Sequence, residues 1–370
     1  MLHLSPHKAL LLAAVVMAML AVVSSAHAQL QITSPDGQTS IKFGILSQIQ
    51  AEGLTTPDGK NMSTDIYIRR FRIILGGNIM KDLSFFVETD NPLLGKVGNS
   101  TTGEKGASYT YLQDAFMTYS FSDEFMIDAG MLLMPVSHNS EQSAASLLGI
   151  DYGPYTFIWS VPTQSRVGRD YGVEARGFLG DNHFEYRAGL FQGLRGVNSL
   201  NPERITARVV WYPFQNEPGY FYAGTYMGAR KILGIGVSLD HQSGYTAYGA
   251  DLFYDYPLDN KDVPTVQVDY TNYDGGTFLP AIAKQSVIFA EAAYYFHDIS
   301  FAPFVQANYD NFSNSIPGRI GLASQHFIQG GLAYYVKGQN FNIKLGVGQF
   351  GGDGFTNQTQ ILLRLQAFTF

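Results

Sequence analysis

Arg70 and Arg72 stand two residues apart in the stretch IRRFRIILGG (68–77). In an extended strand that spacing puts both guanidinium groups on one face, where their planar donors suit phosphate or carboxylate. Lys42, Arg176, Arg187, Arg204, Arg208, Lys344 and Arg364 occupy comparable positions in other alternating segments, as do the acids Asp240, Asp251, Asp255, Asp269, Glu291 and Asp310. This set supports electrostatic recognition of ions, with no bond made or broken. A catalytic reading has one cluster to offer, His138, Glu141 and Ser143, but a histidine and an acid in a long polar loop are usually just solvated. There is no cysteine and no H-E-x-x-H spacing. The pairs Gly76-Gly77, Gly275-Gly276 and Gly351-Gly352 lack the strand-to-helix context of a phosphate-binding loop. We therefore expect no enzyme, no catalytic residue, no metal site and no cofactor.

The elements that must position these charges are strands. From Ser40 onward apolar residues recur on alternate positions in segments of roughly ten residues. Over 40–53, Ile41, Phe43, Ile45, Ile49 and Ala51 oppose Lys42, Gly44, Gln48, Gln50 and Glu52, so one side suits lipid and the other water. Similar segments lie near 64–79, 82–91, 108–121, 124–136, 168–180, 182–193, 203–214, 231–242, 245–257, 263–274, 285–297, 299–312, 324–337, 339–350 and 357–370. The stretch GYFYAGTYMGAR (219–230) would make a further strand, but an odd count puts the chain ends on opposite sides; it is better read as a long turn. The expectation is an all-β, transmembrane antiparallel barrel of about 16 strands around an aqueous lumen.

Composition agrees. The chain has 23 Tyr, 26 Phe and 39 Gly with only 15% charged residues, as suits short strands, aromatic girdles and glycine turns. Residues 1–28 carry His3, His7 and Lys8 ahead of an apolar run that finishes in Ala26-His27-Ala28, the pattern of a cleaved secretory signal peptide. Residues 29–39 would then be a short lead and 40–370 the barrel. Loss of the one lysine in 1–28 takes the net charge from −7 to −8, which argues against a nucleic-acid partner. Without disulfides, stability must come from a closed hydrogen-bond network.

Connections alternate between tight turns, such as Met80-Lys81-Asp82 and Gly180-Asp181-Asn182, and longer loops. The longest, 137–166, carries His138, Glu141, Asp151, Tyr152, Tyr155 and Trp159, with an apolar patch from Ala144 to Ile150 that is poorly placed in open solvent. It is expected to fold inward as a constriction loop. Phe368 and Phe370 read as a terminal assembly signal at the membrane interface for the barrel-assembly machinery, although their parity with Arg364 and Gln366 then requires a local bulge.

Strand parity turns Lys42, Arg70, Arg72, Lys344 and Arg364 toward the lumen on neighbouring strands, and Arg176, Arg187, Arg204 and Arg208 on a second group. The six acids named above gather on later strands, so basic and acidic walls would face each other across the pore. Arg70 and Arg72 have no acid beside them in sequence, and Arg69 shares parity with Phe71, so it is expected to snorkel at the interface. The plainer alternative is that these charges pair and keep the lumen wet.

The stretches IRRFRIILGG, YLQDAFMTYSF (111–121), GMLLMPVSH (130–138), GRDYGVEARG (168–177), RVVWYPF (208–214) and the ending RLQAFTF resemble the phosphate-selective porin O and P family. The resemblance implies an outer-membrane homotrimer of 16-stranded barrels, with the third loop folded inward and lumenal bases guiding anions. The chain departs from the family at Leu132, Leu133 and Met134, where a lysine often precedes the proline, here Pro135. Three functions follow: a passive channel for small hydrophilic solutes that leans weakly to anions, a specific carrier whose loop aromatics guide an organic solute, or a non-conducting receptor barrel.

Overall fold

A computed structural model describes residues 30–97, 105, 109–165, 167–314 and 322–370. The expected signal peptide lies outside the described residues. The strands are β1 (Leu30–Thr33), β2 (Ser40–Thr55), β3 (Met62–Met80), β4 (Leu83–Asp90), β5 (Tyr111–Ser122), β6 (Phe125–Leu133), β7 (Arg169–Leu179), β8 (Phe184–Phe191) and β9 (Arg204–Trp211). The second half adds β10 (Ile232–Gln242), β11 (Tyr245–Asp255), β12 (Val263–Asp274), β13 (Gln285–Tyr295), β14 (Phe301–Phe312), β15 (Gln325–Gln339), β16 (Phe341–Gly352) and β17 (Gln358–Thr369).

Each strand from β2 to β17 pairs antiparallel with its sequence neighbour, and β17 pairs back onto β2. The result is a closed barrel of sixteen strands with no free edge, the one sheet architecture that satisfies every backbone donor inside lipid. The outward parity is apolar, as at Ile66, Ile73, Val237, Val305 and Val347. Aromatic rings gather near one end, where Tyr119 tilts against Phe121 at 4.6 Å, Phe121 stacks on Phe125 at 5.2 Å and Tyr254 stacks on Tyr256 at 5.9 Å. These amphipathic rings suit a water–lipid boundary.

Two of the departures from simple alternation bear on how the lumen is filled and charged. In β3, Gln48 pairs with Arg70 and Ile49 with Ile68, which leaves Arg69 as the extra residue of a β-bulge. Tyr67 and Arg70 therefore share the inward face although they are three residues apart. At the other departure, β10 and β11 are joined by only Ser243-Gly244 at the loop end, whereas 212–231 makes a long connection at the turn end. Short and long connections thus do not alternate all the way round. Segment 219–230 forms no strand, in keeping with the even count.

Candidate functional site

The connection from β6 to β7 lies inside the barrel. Its apolar residues Ala144, Ala145, Leu147, Leu148 and Ile150 are buried, with Ala144 and Ala145 packed on Leu46 and Ile74 and Ile150 on Phe304 and Leu362 of the wall. Full burial of a Leu or Ile side chain stabilises by about 1.5–3 kcal/mol. A strand-free segment in a barrel must also satisfy its backbone groups, and wall side chains do this. Gln48 donates to the carbonyl of Ala144 at 3.0 Å and Gln366 to that of Ala145 at 2.7 Å. Lys344 donates to the carbonyls of Leu148 and Gly149 at 3.1 and 2.9 Å, and Arg364 to that of Ile150. In return Glu291 accepts from the Gly149 amide at 3.0 Å, and Asp269 from the Asn139 amide at 2.7 Å. One helical turn, α1 (His138–Glu141), opens the segment, with Ser137 and Ser140 in a reciprocal capping box.

The arginines are paired, which corrects the picture of a basic wall facing an acidic one. Arg70 meets Asp151 at 2.6 Å, while Arg72 meets Glu88 and, at 3.0 Å, Asp90. These acids lie on the infolded loop and on β4, so the absence of an acid beside Arg70 and Arg72 in sequence says nothing of their surroundings in space. Arg176 pairs with Asp128 at 2.6 Å. Arg187 pairs with Glu141 at 2.7 Å and Glu185 at 2.8 Å, and Arg208 with Glu141 at 3.0 Å and with Asp251. Arg204 pairs with Asp240. Asp240 and Asp251 thus belong to the arginines of β9, reached across β10 and β11, and do not form a separate wall. Asp255 accepts from the Tyr226 amide at 2.8 Å and from Thr265 at 2.6 Å.

Other positions also differ from expectation. Arg69 does not snorkel: the bulge turns it onto Asp151, 2.8 Å away. Phe368 and Phe370 face the lumen, because the pairing of β17 with β2 runs unbroken through Phe368–Leu46 and Thr369–Ile45, so the required bulge is absent. Gly44 and Gly76 make room for the Phe370 ring, since a Cβ on either would come within 2.8 Å of it. Lys42 sits over that ring at 4.7 Å. In the loop, Trp159 is fully buried under Arg204, 4.5 Å from its ring, and Tyr155 is buried in the same apolar cluster. Neither lies on a surface that a solute can slide along. His138 is buried against Glu217 at 2.9 Å and stacked between Tyr222 and Phe253. The reading of lumenal charges passed over Asp114, Asp128, Arg169 and Glu217, although inward parity on 111–121 and 124–136 marks the two aspartates.

Asp151 holds the loop to three guanidinium groups, those of Arg69, Arg70 and, at 3.0 Å, Arg364. Burial raises its pKa, but the three cations outweigh that and hold it well below the ordinary carboxylate range. Two cavities flank the loop along β3. One, of about 350 Å³, is lined by Arg69, Arg70, Lys96, Glu52, Asp151 and Tyr152 among others. The second, of about 100 Å³, is lined by Arg72, Arg169, Glu88, Phe368 and Phe370 among others. Arg70 and Arg72, two apart on one strand face, thus stand one in each.

A closed sixteen-stranded barrel with an apolar outer band and a charged, loop-filled lumen defines an outer-membrane porin, a non-enzymatic channel protein. Residues 41–231 match the model of the family described as phosphate-selective porin O and P, and the chain belongs to that family. No curated protein matches it. Among solved structures, the anion-selective porin from Comamonas acidovorans superposes with a TM-score of 0.62 at 12% identity, over 90% of this chain and 100% of that one. OmpF from Salmonella typhi gives 0.57 at 14% identity, over 91% and 100%. The trimer form of OmpT from Vibrio cholerae gives 0.54 at 10% identity, over 90% and 100%. At such identities the likeness is one of fold.

Proposed function

We propose that this porin passes small hydrophilic solutes passively, with a weak preference for anions such as phosphate, along the β3 wall past the infolded loop. One observation carries the preference. The larger cavity is lined by three cations, Arg69, Arg70 and Lys96, against two acids, Glu52 and Asp151; the smaller by Arg72 and Arg169 against Glu88. The larger therefore has one more cation than acid, although the whole chain is negative, while at the smaller Asp90 and Asp114 lie against Arg72 and Arg169 and offset them. Local excess decides, because screening limits each charge to a range of about 8 Å at physiological salt. Pairing keeps the preference weak, since most guanidinium donors already have a carboxylate. The test is reversal potential in a salt gradient: Arg70→Gln with Arg72→Gln should shift it toward cations and weaken any block by phosphate. An unchanged reversal potential would mean that these arginines only brace the loop and wall.

The assembly follows the family: we propose a homotrimer in the outer membrane, inserted by the barrel-assembly machinery after cleavage of residues 1–28. A mild-detergent species with the mass of a single chain would overturn the trimer.

A further inference from the structure

The connection between β9 and β10, residues 212–231, belongs to the turn end of the barrel but runs into the lumen. A turn between neighbouring antiparallel strands needs only a few residues, and this one uses twenty. Its root is a narrow neck, where the Gln215 amide donates to the Lys231 carbonyl at 3.0 Å. Beyond the neck, Glu217, Tyr220 and Tyr222 are buried.

What they are buried against is the constriction loop, which enters from the opposite end. The Tyr222 amide donates to the Glu141 carbonyl at 3.0 Å, the Ser143 amide to the Tyr222 carbonyl at 2.9 Å, and the Gly224 amide to the Ser146 carbonyl at 2.9 Å. These bonds surround a parallel bridge between Gln142 and Tyr222. Glycine is needed at 224, because a Cβ there would lie 2.4 Å from the Leu148 nitrogen. Side chains reinforce the junction. Glu217 pairs with His138 at 2.9 Å and accepts from Tyr226 at 3.0 Å. Arg187 donates to the Tyr220 carbonyl at 3.0 Å, and the Leu133 amide donates to the Tyr220 hydroxyl at 2.8 Å.

We propose that residues 212–231 are a second constriction element, which narrows the lumen from the periplasmic end and, locked to the loop, sets the size of solute that passes. The proposal rests on the reading of the chain as a channel. It assigns to a turn the role that a loop-only view gives wholly to 137–166. The loop's backbone donors and acceptors at 141, 143 and 146 are satisfied by the turn, so each insert braces the other.

The experiment is single-channel conductance of the full-length protein in planar bilayers, with folding checked by heat-modifiable migration. In one variant residues 216–230 are replaced by Asn-Gly, which the Gln215–Lys231 neck accommodates. In a second, Gly224→Val keeps the length but forces the turn off the Leu147–Leu148 backbone. The excision should raise conductance by roughly twofold or more, and Gly224→Val should raise it in the same direction. A parent that conducts, with both folded variants matching it, overturns the proposal. A silent parent with conducting variants supports the proposal and sinks the open-channel reading. Silence from all three, each folded, overturns both. Should the excision variant fail to fold, Gly224→Val alone decides between the first two outcomes.

Discussion

Asp151 is the residue on which the loop's position and the pore's charge balance meet. Three arginines converge on it, and it lines the larger cavity. Replacing it with asparagine keeps the shape and removes one negative charge, so Asp151→Asn should shift reversal potential toward anions, opposite to the Arg70 and Arg72 double variant. An unchanged reversal potential would place the cavity off the ion path. Its pH behaviour follows from the depressed pKa. A carboxyl whose folded value lies below its unfolded one, here ordinarily near 3.8, adds stability that is complete above the unfolded value and is lost only as pH falls through the depressed one. The anchor should therefore hold at least down to about pH 4, and conductance should show no step from Asp151 between neutrality and that point. Trp159 makes the contrasting case. It is buried and stacked under Arg204, so Trp159→Ala should cost about 3–5 kcal/mol and lower the heat-denaturation temperature, with reversal potential unchanged. A large change in selectivity with unaltered heat stability would return it to the solute path.

At the scale of elements, the strands were legible because lipid on one side and a charged lumen on the other force a period of two. The window 263–274 coincides with β12, and 40–53 falls within β2. Parity failed where the backbone breaks its own rule. Arg69 looked outward on strict alternation, yet the bulge in β3 turns it in. Phe368 and Phe370 looked outward only if a bulge was granted, and none is there. A bulge is one residue long and depends on the partner strand, so a single segment does not disclose it. The charge pairs were hidden for a related reason: Arg72 finds Glu88 and Asp90 through the register between β3 and β4, and Arg70 finds Asp151 on the infolded loop, far along the chain. Deleting Arg69 tests the bulge directly. Because the pairs on either side, Ile49–Ile68 and Gln48–Arg70, are already in register, the barrel should still assemble, with heat-modifiable migration retained. Loss of assembly would show that the bulge sets the strand's curvature as well as this side chain's aim.

For the whole molecule, an even strand count returns β17 to the end from which β2 starts. With tight turns toward the periplasm, an epitope inserted near 276, between β12 and β13, should be accessible on intact cells, while one near 339 should be shielded until the outer membrane is opened. The reverse pattern would invert the barrel. The structure also explains how a chain with no cysteine keeps a charged interior in order: loop, turn and wall exchange backbone and side-chain bonds, so the ion pairs serve as internal fastenings as well as lining.

The short strand β1 carries one last consequence. Leu30 to Thr33 pair with Phe43 to Ser40, while β17 ends with Thr369 opposite Ile45. Only Gly44 separates the two stretches along β2, and Phe370 packs against it. β17 and β1 therefore run in the same direction along one line, with Leu30 and Phe370 beside successive positions of β2. The pairing along β2 thus passes from one strand to the other with no gap beyond Gly44. A circular permutant that lacks residues 1–29, joins Phe370 to Leu30 and opens instead at Asn260-Lys261 should fold to the same barrel, with its ends in the turn between β11 and β12.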